Sequence, residues 1–185
     1  MKKHFFFTAL LLSCSSMFSQ VTFVKGYMLT LKGDSVKGEV KINPKRLSEN
    51  FTKLFFKDNE GVQKNYKPDK VKGYGYEGKH FIAEKFGDEI CFYKVLSKGK
   101  VMLYEMVYEE YNVSSTYYKS EYYFSQTGDK EFSRIKQGKF KKQLSDVMKD
   151  NPEYIQGITE DEKKFEIEKV IDAFNQYNAW AKTNG

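Results

Sequence analysis

The chain has 185 residues, 40% of them hydrophobic and 30% charged, with a formal net charge of +6. That length suits one domain with its own core, and a basic excess this modest is not a nucleic-acid-binding footprint. Proline is scarce, at Pro44, Pro68 and Pro152 only, so no proline-rich linker divides the chain into independent domains.

Residues 1–19 read as an export signal. Lys2 and Lys3 supply a positive start, Phe5 to Leu12 is apolar except for Thr8, and Ser13, Ser15, Ser16 and Ser19 follow. This is the order of charge, apolar segment and small residues that a signal peptidase reads. The apolar run is far short of the roughly 20 residues a membrane-spanning helix needs, and no later segment is apolar enough to span. Cleavage after Ser19 leaves Gln20 first. A second route is open, because Leu11-Leu12-Ser13-Cys14 resembles a lipobox whose Cys14 is acylated. Leu12 is bulky for that motif, and Met17 and Phe18 make a poor tether, so the unlipidated form is preferred. The expected location is periplasmic or secreted, with a membrane tether through Cys14 as the alternative. Without the signal, 29 basic residues face 25 acidic ones and the charge is +4. Cys91 and His80 are then the only residues of their types. That excludes an intramolecular disulfide and a four-ligand zinc site of the usual kind.

From residue 20 to 136 the punctuation is that of an antiparallel β meander. Gly26 to Leu31 reads as a strand, Lys32-Gly33-Asp34-Ser35 as a turn, and Val36, Gly38, Val40 and Ile42 as the alternating inward face of the next strand. Asn43-Pro44 breaks the pattern. Phe51–Lys57 and Val62–Tyr66 are predicted as a hairpin around Asp58-Asn59-Glu60-Gly61. Further strands are predicted at Val71–Tyr76, His80–Phe86, Glu89–Ser97, Val101–Glu109, Tyr117–Ser125 and Glu131–Lys136, each pair separated by a glycine-bearing turn or a break.

The period then changes. Phe140, Leu144, Val147 and Met148 share one helical face, and Asp150-Asn151-Pro152 stops that helix. Thr159 and Glu162 form a capping-box pattern ahead of a second stripe: Ile167, Val170, Ile171, Phe174, Tyr177 and Ala181, with Trp180 alongside. The expected fold is α+β and mainly β. It is an antiparallel meander, a curved sheet or partial barrel, followed by two amphipathic helices (residues 137–185) packed on the same domain.

The order of Gly26-Tyr27, Leu29-Thr30, Gly33-Asp34-Ser35, Gly38 and Val40, then Phe56-Lys57-Asp58, Gly61, Tyr66, Pro68-Asp69, Val71 and Gly73-Tyr74, with Asp150-Asn151-Pro152 and Tyr177-Asn178 near the end, resembles small exported proteins of Bacteroidota. The resemblance implies an envelope or secreted location and carries no activity.

No residue pattern calls for a cofactor or a resident metal. Cys91 lies between apolar residues, as a small core residue does, and a nucleophile there would have only His80 as its base. Asp58-Asn59-Glu60-Gly61 lacks the length of a calcium loop. The spelling Gly73-x-Gly75-x-x-Gly78 opens no helix and reads as strand and turn, not as a phosphate cradle. Asp34, Asp69, Glu77, Asp88 and Asp129 fall in turns; Glu105, Glu109, Glu110 and Glu121 lie in or beside strands amid lysines. The densest feature is tyrosine: Tyr104, Tyr108, Tyr111, Tyr117, Tyr118, Tyr122 and Tyr123 occupy two neighbouring strands and their loop. They are core residues, or an aromatic platform for a sugar, lipid or protein. Both faces of the strand at Val101–Glu109 are apolar, so one is expected to pack inward and the other to be covered. The leading expectation is an exported, non-enzymatic envelope protein that binds another envelope protein, a lipid or a polysaccharide. The alternatives are a carrier of an apolar ligand in a barrel-like cavity and a carboxylate-dependent hydrolase.

Overall fold

A computed structural model describes residues 22–128, 132–151 and 165–184. Residues 1–19, read above as an export signal with Cys14, and the capping-box pattern at Thr159 and Glu162 lie outside them. Ten strands form one antiparallel sheet: β1 (Thr22–Leu29), β2 (Ser35–Ile42), β3 (Leu54–Asp58), β4 (Gln63–Tyr66), β5 (Gly73–Tyr76), β6 (Lys79–Phe86), β7 (Glu89–Ser97), β8 (Val101–Tyr111), β9 (Thr116–Gln126) and β10 (Ser133–Arg134). The spatial order is β10-β9-β8-β7-β6-β5-β1-β2-β3-β4. Two meanders, β1–β4 and β5–β10, are therefore joined along β1 and β5, where Met28 faces Tyr74 and Gly26 faces Tyr76. The sheet is curved but not closed, with β4 and β10 at its edges.

The meander and its turns match the sequence expectation, with one difference before β3. Residues Glu49–Thr52 form a helical turn, α1, and the strand starts only at Leu54. Phe51 is buried from that turn and meets Phe81 edge-on at 5.6 Å. An aromatic run reads locally as strand. Here the need to cover the inner face of the sheet decides instead, an override of local preference by tertiary packing. The β5–β6 connection is a two-residue turn with Glu77 at φ 47° and Gly78 at φ 74°. Positive φ at both positions is the twist-matched hairpin geometry, and only Glu77 is strained by it.

The inner face holds two adjoining cores. Around α1, Met28, Val40, Leu54, Phe56, Val71, Tyr74, Phe81 and Phe92 are buried together. Tyr74 stacks on Phe81 at 4.6 Å and its hydroxyl donates to the Asn50 carbonyl at 2.6 Å. Each large apolar side chain so buried contributes about 1.5–3 kcal/mol. The segment carrying α1 also ties across to the other meander. Ser48 Oγ donates to Glu109 at 2.8 Å, and the Tyr118 hydroxyl donates to the Lys45 carbonyl at 2.5 Å.

The second core lies under the helices α2 (Phe140–Val147) and α3 (Ile167–Asn184). Phe140, Leu144, Met148, Val170, Phe174 and Tyr177 bury their stripes against Val101, Leu103 and Phe124. Polar groups fix the docking. A bulge in β7 sets Val95 opposite Tyr104 and Ser97 opposite Leu103, which turns Ser97 to the inner face. Asn178 then accepts from the Val101 N–H at 3.0 Å and donates to the Val101 carbonyl at 2.8 Å and to Ser97 Oγ at 3.1 Å. Its side chain sits directly over Gly99, where an added Cβ would lie 2.4 Å from it. Asp150 accepts from the Tyr177 hydroxyl at 2.7 Å and pairs with Lys100 at 2.5 Å. Asp150 and Tyr177-Asn178 are thus one clasp on the β7–β8 turn.

Candidate binding groove

Period-two alternation places Phe23, Lys25 and Tyr27 of β1, Ser35, Lys37, Glu39 and Lys41 of β2, and Phe55 and Lys57 of β3 on the outer face. Their register makes two rows. One runs His80, Gly75, Tyr27, Lys37 across β6, β5, β1 and β2. The other runs Lys25, Glu39, Lys57, Gln63 across β1, β2, β3 and β4. An open groove of about 760 Å³ lies along these rows, within the ordinary range of ligand pockets. The β3–β4 turn (Asp58, Asn59, Gly61) flanks it on one side and the β5–β6 turn (Glu77, Gly78) on the other.

The groove floor is shaped by a missing side chain. Gly75 leaves a gap in its row, and the Tyr27 ring lies in it, 2.6–2.7 Å from where a Cβ would stand. That carries the Tyr27 hydroxyl to 2.6 Å from His80 Nδ1, the donor being set by the imidazole tautomer. Partial burial raises the Tyr27 phenol above its usual range, so it stays a neutral hydroxyl. Glu39 is engaged by Lys57 at 2.5 Å. The Asp58 carboxylate is held by its own turn, accepting from the N–H groups of Glu60 at 3.1 Å and Val62 at 2.8 Å. Among the described residues Lys25 and Lys37 have no carboxylate at ion-pair distance, and both are exposed.

The tyrosines singled out by density divide into three groups. Tyr104 and Tyr123 are buried on the outer face beside Tyr93 and Cys91, with Phe132 stacked on Tyr104 at 4.4 Å. Tyr122 faces inward against the helical core. Tyr111, Tyr117 and Tyr118 are exposed at the tip of the β8–β9 hairpin, by 75%, 45% and 39%, and Tyr108 is half-buried between the groups. Both faces of β8 are therefore covered at its start and only its far end is open. Most of these hydroxyls are held by carboxylates: Tyr108 and Tyr123 by Glu121, Tyr111 by Glu109, Tyr117 by Glu110.

The carboxylates on these strands are likewise engaged. Glu105 pairs with Lys94 at 2.9 Å and accepts from Ser120 at 2.9 Å. The Ser48 hydroxyl, then that of Tyr111, holds Glu109 below the usual carboxylate range; Lys119, then Tyr117, does the same for Glu110. A general acid needs the opposite shift. Cys91 faces Glu84 across β6 and β7, four residues along from His80, or about 13 Å. The two are not cross-strand partners. Burial pushes the Cys91 thiol up, away from the thiolate a nucleophile requires.

No protein-family model, curated protein or solved structure matches the chain. Among the described residues no helix is long and apolar enough to cross a membrane, and no three His, Cys, Asp or Glu side chains gather as a metal site. The groove was not singled out from sequence. Its signal was present as polar alternation, Ser35-x-Lys37-x-Glu39-x-Lys41, but alternation says only that a face is wet. It took the pairing of β1 with β5 to bring Gly75 and His80 to Tyr27 and Lys37.

Proposed function

We propose that this is an exported, non-enzymatic binding module of the cell envelope, and that it binds through the outer-face groove at Tyr27, Lys37 and His80. One observation carries the reading. This is a built depression on the outer face of the sheet, with a buried glycine floor, an aromatic ring fixed by a hydrogen bond and two lysines that have no carboxylate partner among the described residues. The apolar-carrier alternative asks for a cavity in the inner face. That face is filled by Tyr74, Phe92, Leu54 and Leu103, each at most 1% exposed. The hydrolase alternative asks for a free carboxylate pair. Glu105, Glu109, Glu110 and Glu121 are each engaged as described, and Glu84 of β6 is the strand carboxylate that burial raises instead.

Sedimentation with washed envelopes of the producing cells tests the reading. The mature chain is expected in the pellet, and a Lys37→Glu/His80→Ala variant with unchanged far-UV circular dichroism in the supernatant. If the variant pellets as well as the parent, the groove is not the binding site.

A further inference from the structure

Charge is unevenly placed along this chain. Residues 22–72 carry twelve Lys and Arg against six Asp and Glu, whereas residues 73–128 carry six against eight. The excess belongs to the β1–β4 meander, whose Lys25, Lys37, Lys41 and Lys57 point outward. The groove itself is lined by Lys25, Lys37 and Lys57 and by Glu39, Asp58 and Glu77; Glu39 pairs with Lys57 and Asp58 is held by its own turn, so the open positive charge is that of Lys25 and Lys37. Aromatic rings hold several ammonium groups in place. Lys57 Nζ stands 5.0 Å over the Phe23 ring, and Lys41 and Lys53 stand 4.9 Å and 5.1 Å from the centre of Phe55. Such contacts orient a lysine whose stem is otherwise free; Lys57 also pairs with Glu39, whereas the ammonium of Lys41 is held by the ring contact.

Resting on the groove as the binding site, we infer that its ligand is an acidic polysaccharide, a chain of sugar units bearing carboxylate or sulfate groups. Three features argue for this class. The lysines recur at strand spacing along and across the groove, which suits charges repeated along a polymer. Between them lie hydrogen-bonding groups, Ser35, Asn59, the Tyr27 hydroxyl and His80, of the kind that fix the orientation of a sugar ring. Ammonium groups stand over the Phe23 and Phe55 rings, and a nucleobase would have to compete with them to stack there.

The test is titration calorimetry of the mature chain at 50 and 200 mM NaCl against polygalacturonate, dextran sulfate, neutral dextran, phosphatidylglycerol vesicles and a single-stranded oligonucleotide. Binding to polygalacturonate or dextran sulfate is expected, weakened at least tenfold at the higher salt because counterions are displaced. Lys25→Gln/Lys37→Gln should weaken it at least tenfold further. Lys142→Gln/Lys149→Gln removes equal charge from exposed helical-side positions and should change it less than twofold. Equal loss from both pairs would mean binding by net charge alone and overturns the inference. So does tighter, Lys37-dependent binding to vesicles or to the oligonucleotide. Neutral dextran binding as well as the acidic polymers overturns the ligand class but leaves the groove standing. If no polysaccharide binds while the parent chain still pellets with envelopes and the groove variant does not, the ligand class fails and the site survives.

Discussion

At the β7–β9 end of the sheet, Tyr93, Tyr104 and Tyr123 are covered outside by Phe86 and Phe132 while α2 and α3 close the inner face. At the β1–β3 end the inner face is closed just as fully, by Phe51 and its neighbours. Outside, Phe23, Tyr27 and Phe55 meet only lysines and a histidine among the ring contacts described. The first end has more rings and less access. The second has fewer rings, each placed beside a lysine or a histidine. Away from the exposed β8–β9 tip, aromatic density therefore marks where this fold is stapled, and the sparser mixture of rings, lysines and a histidine marks where it meets solvent.

Four substitutions sharpen that contrast. Tyr104→Ala is expected to destabilise the protein by about 4 kcal/mol in urea denaturation, whereas Tyr27→Ala costs about 1 kcal/mol. Equal losses would erase the distinction between a covered and an open end. Asn178→Ala leaves the Val101 backbone groups without their side-chain partner and is expected to cost about 3 kcal/mol. The emission of Trp180, the single tryptophan, reports whether α3 lifts from the sheet. The smallest effect concerns pH. Lys100, then Tyr177, lowers the Asp150 carboxyl below its ordinary 3.8. A depressed folded-state value means that the stabilisation is complete above pH 3.8 and disappears as pH falls through the lower, folded value. Acid titration should therefore release the Trp180 signal at a higher pH in Lys100→Gln than in the parent. Coincident transitions would show that the clasp adds nothing.

Much of the fold was legible in the residues. Glycine turns and alternation located nearly every strand, because each hairpin is a local event recorded within a dozen residues. The stripes of α2 and α3 were legible for the same reason. The join between the meanders was not, since no local pattern records that Met28 will lie against Tyr74. The site was hidden with it. Tyr27 and His80 are 53 positions apart in sequence, and a lone histidine has no spacing to read. Phe51 was misplaced because its burial comes from a partner, Phe81, on a different strand.

That join also sets how the chain must come together. Every hairpin can close early on short loops, yet β1 must wait for β5, and the ties from Ser48 to Glu109 and from Lys45 to Tyr118 span 61 and 73 residues. Non-local pairings of this kind place folding in roughly the millisecond-to-second range. Until β5 arrives, one long side of β1 is an unpaired edge, much longer and more apolar than the four-residue, lysine-bearing β4 that ends the finished sheet. Short charged edges resist adding another chain, and long apolar ones invite it. The hazard of aggregation is thus concentrated in the half-assembled chain, before the two meanders meet.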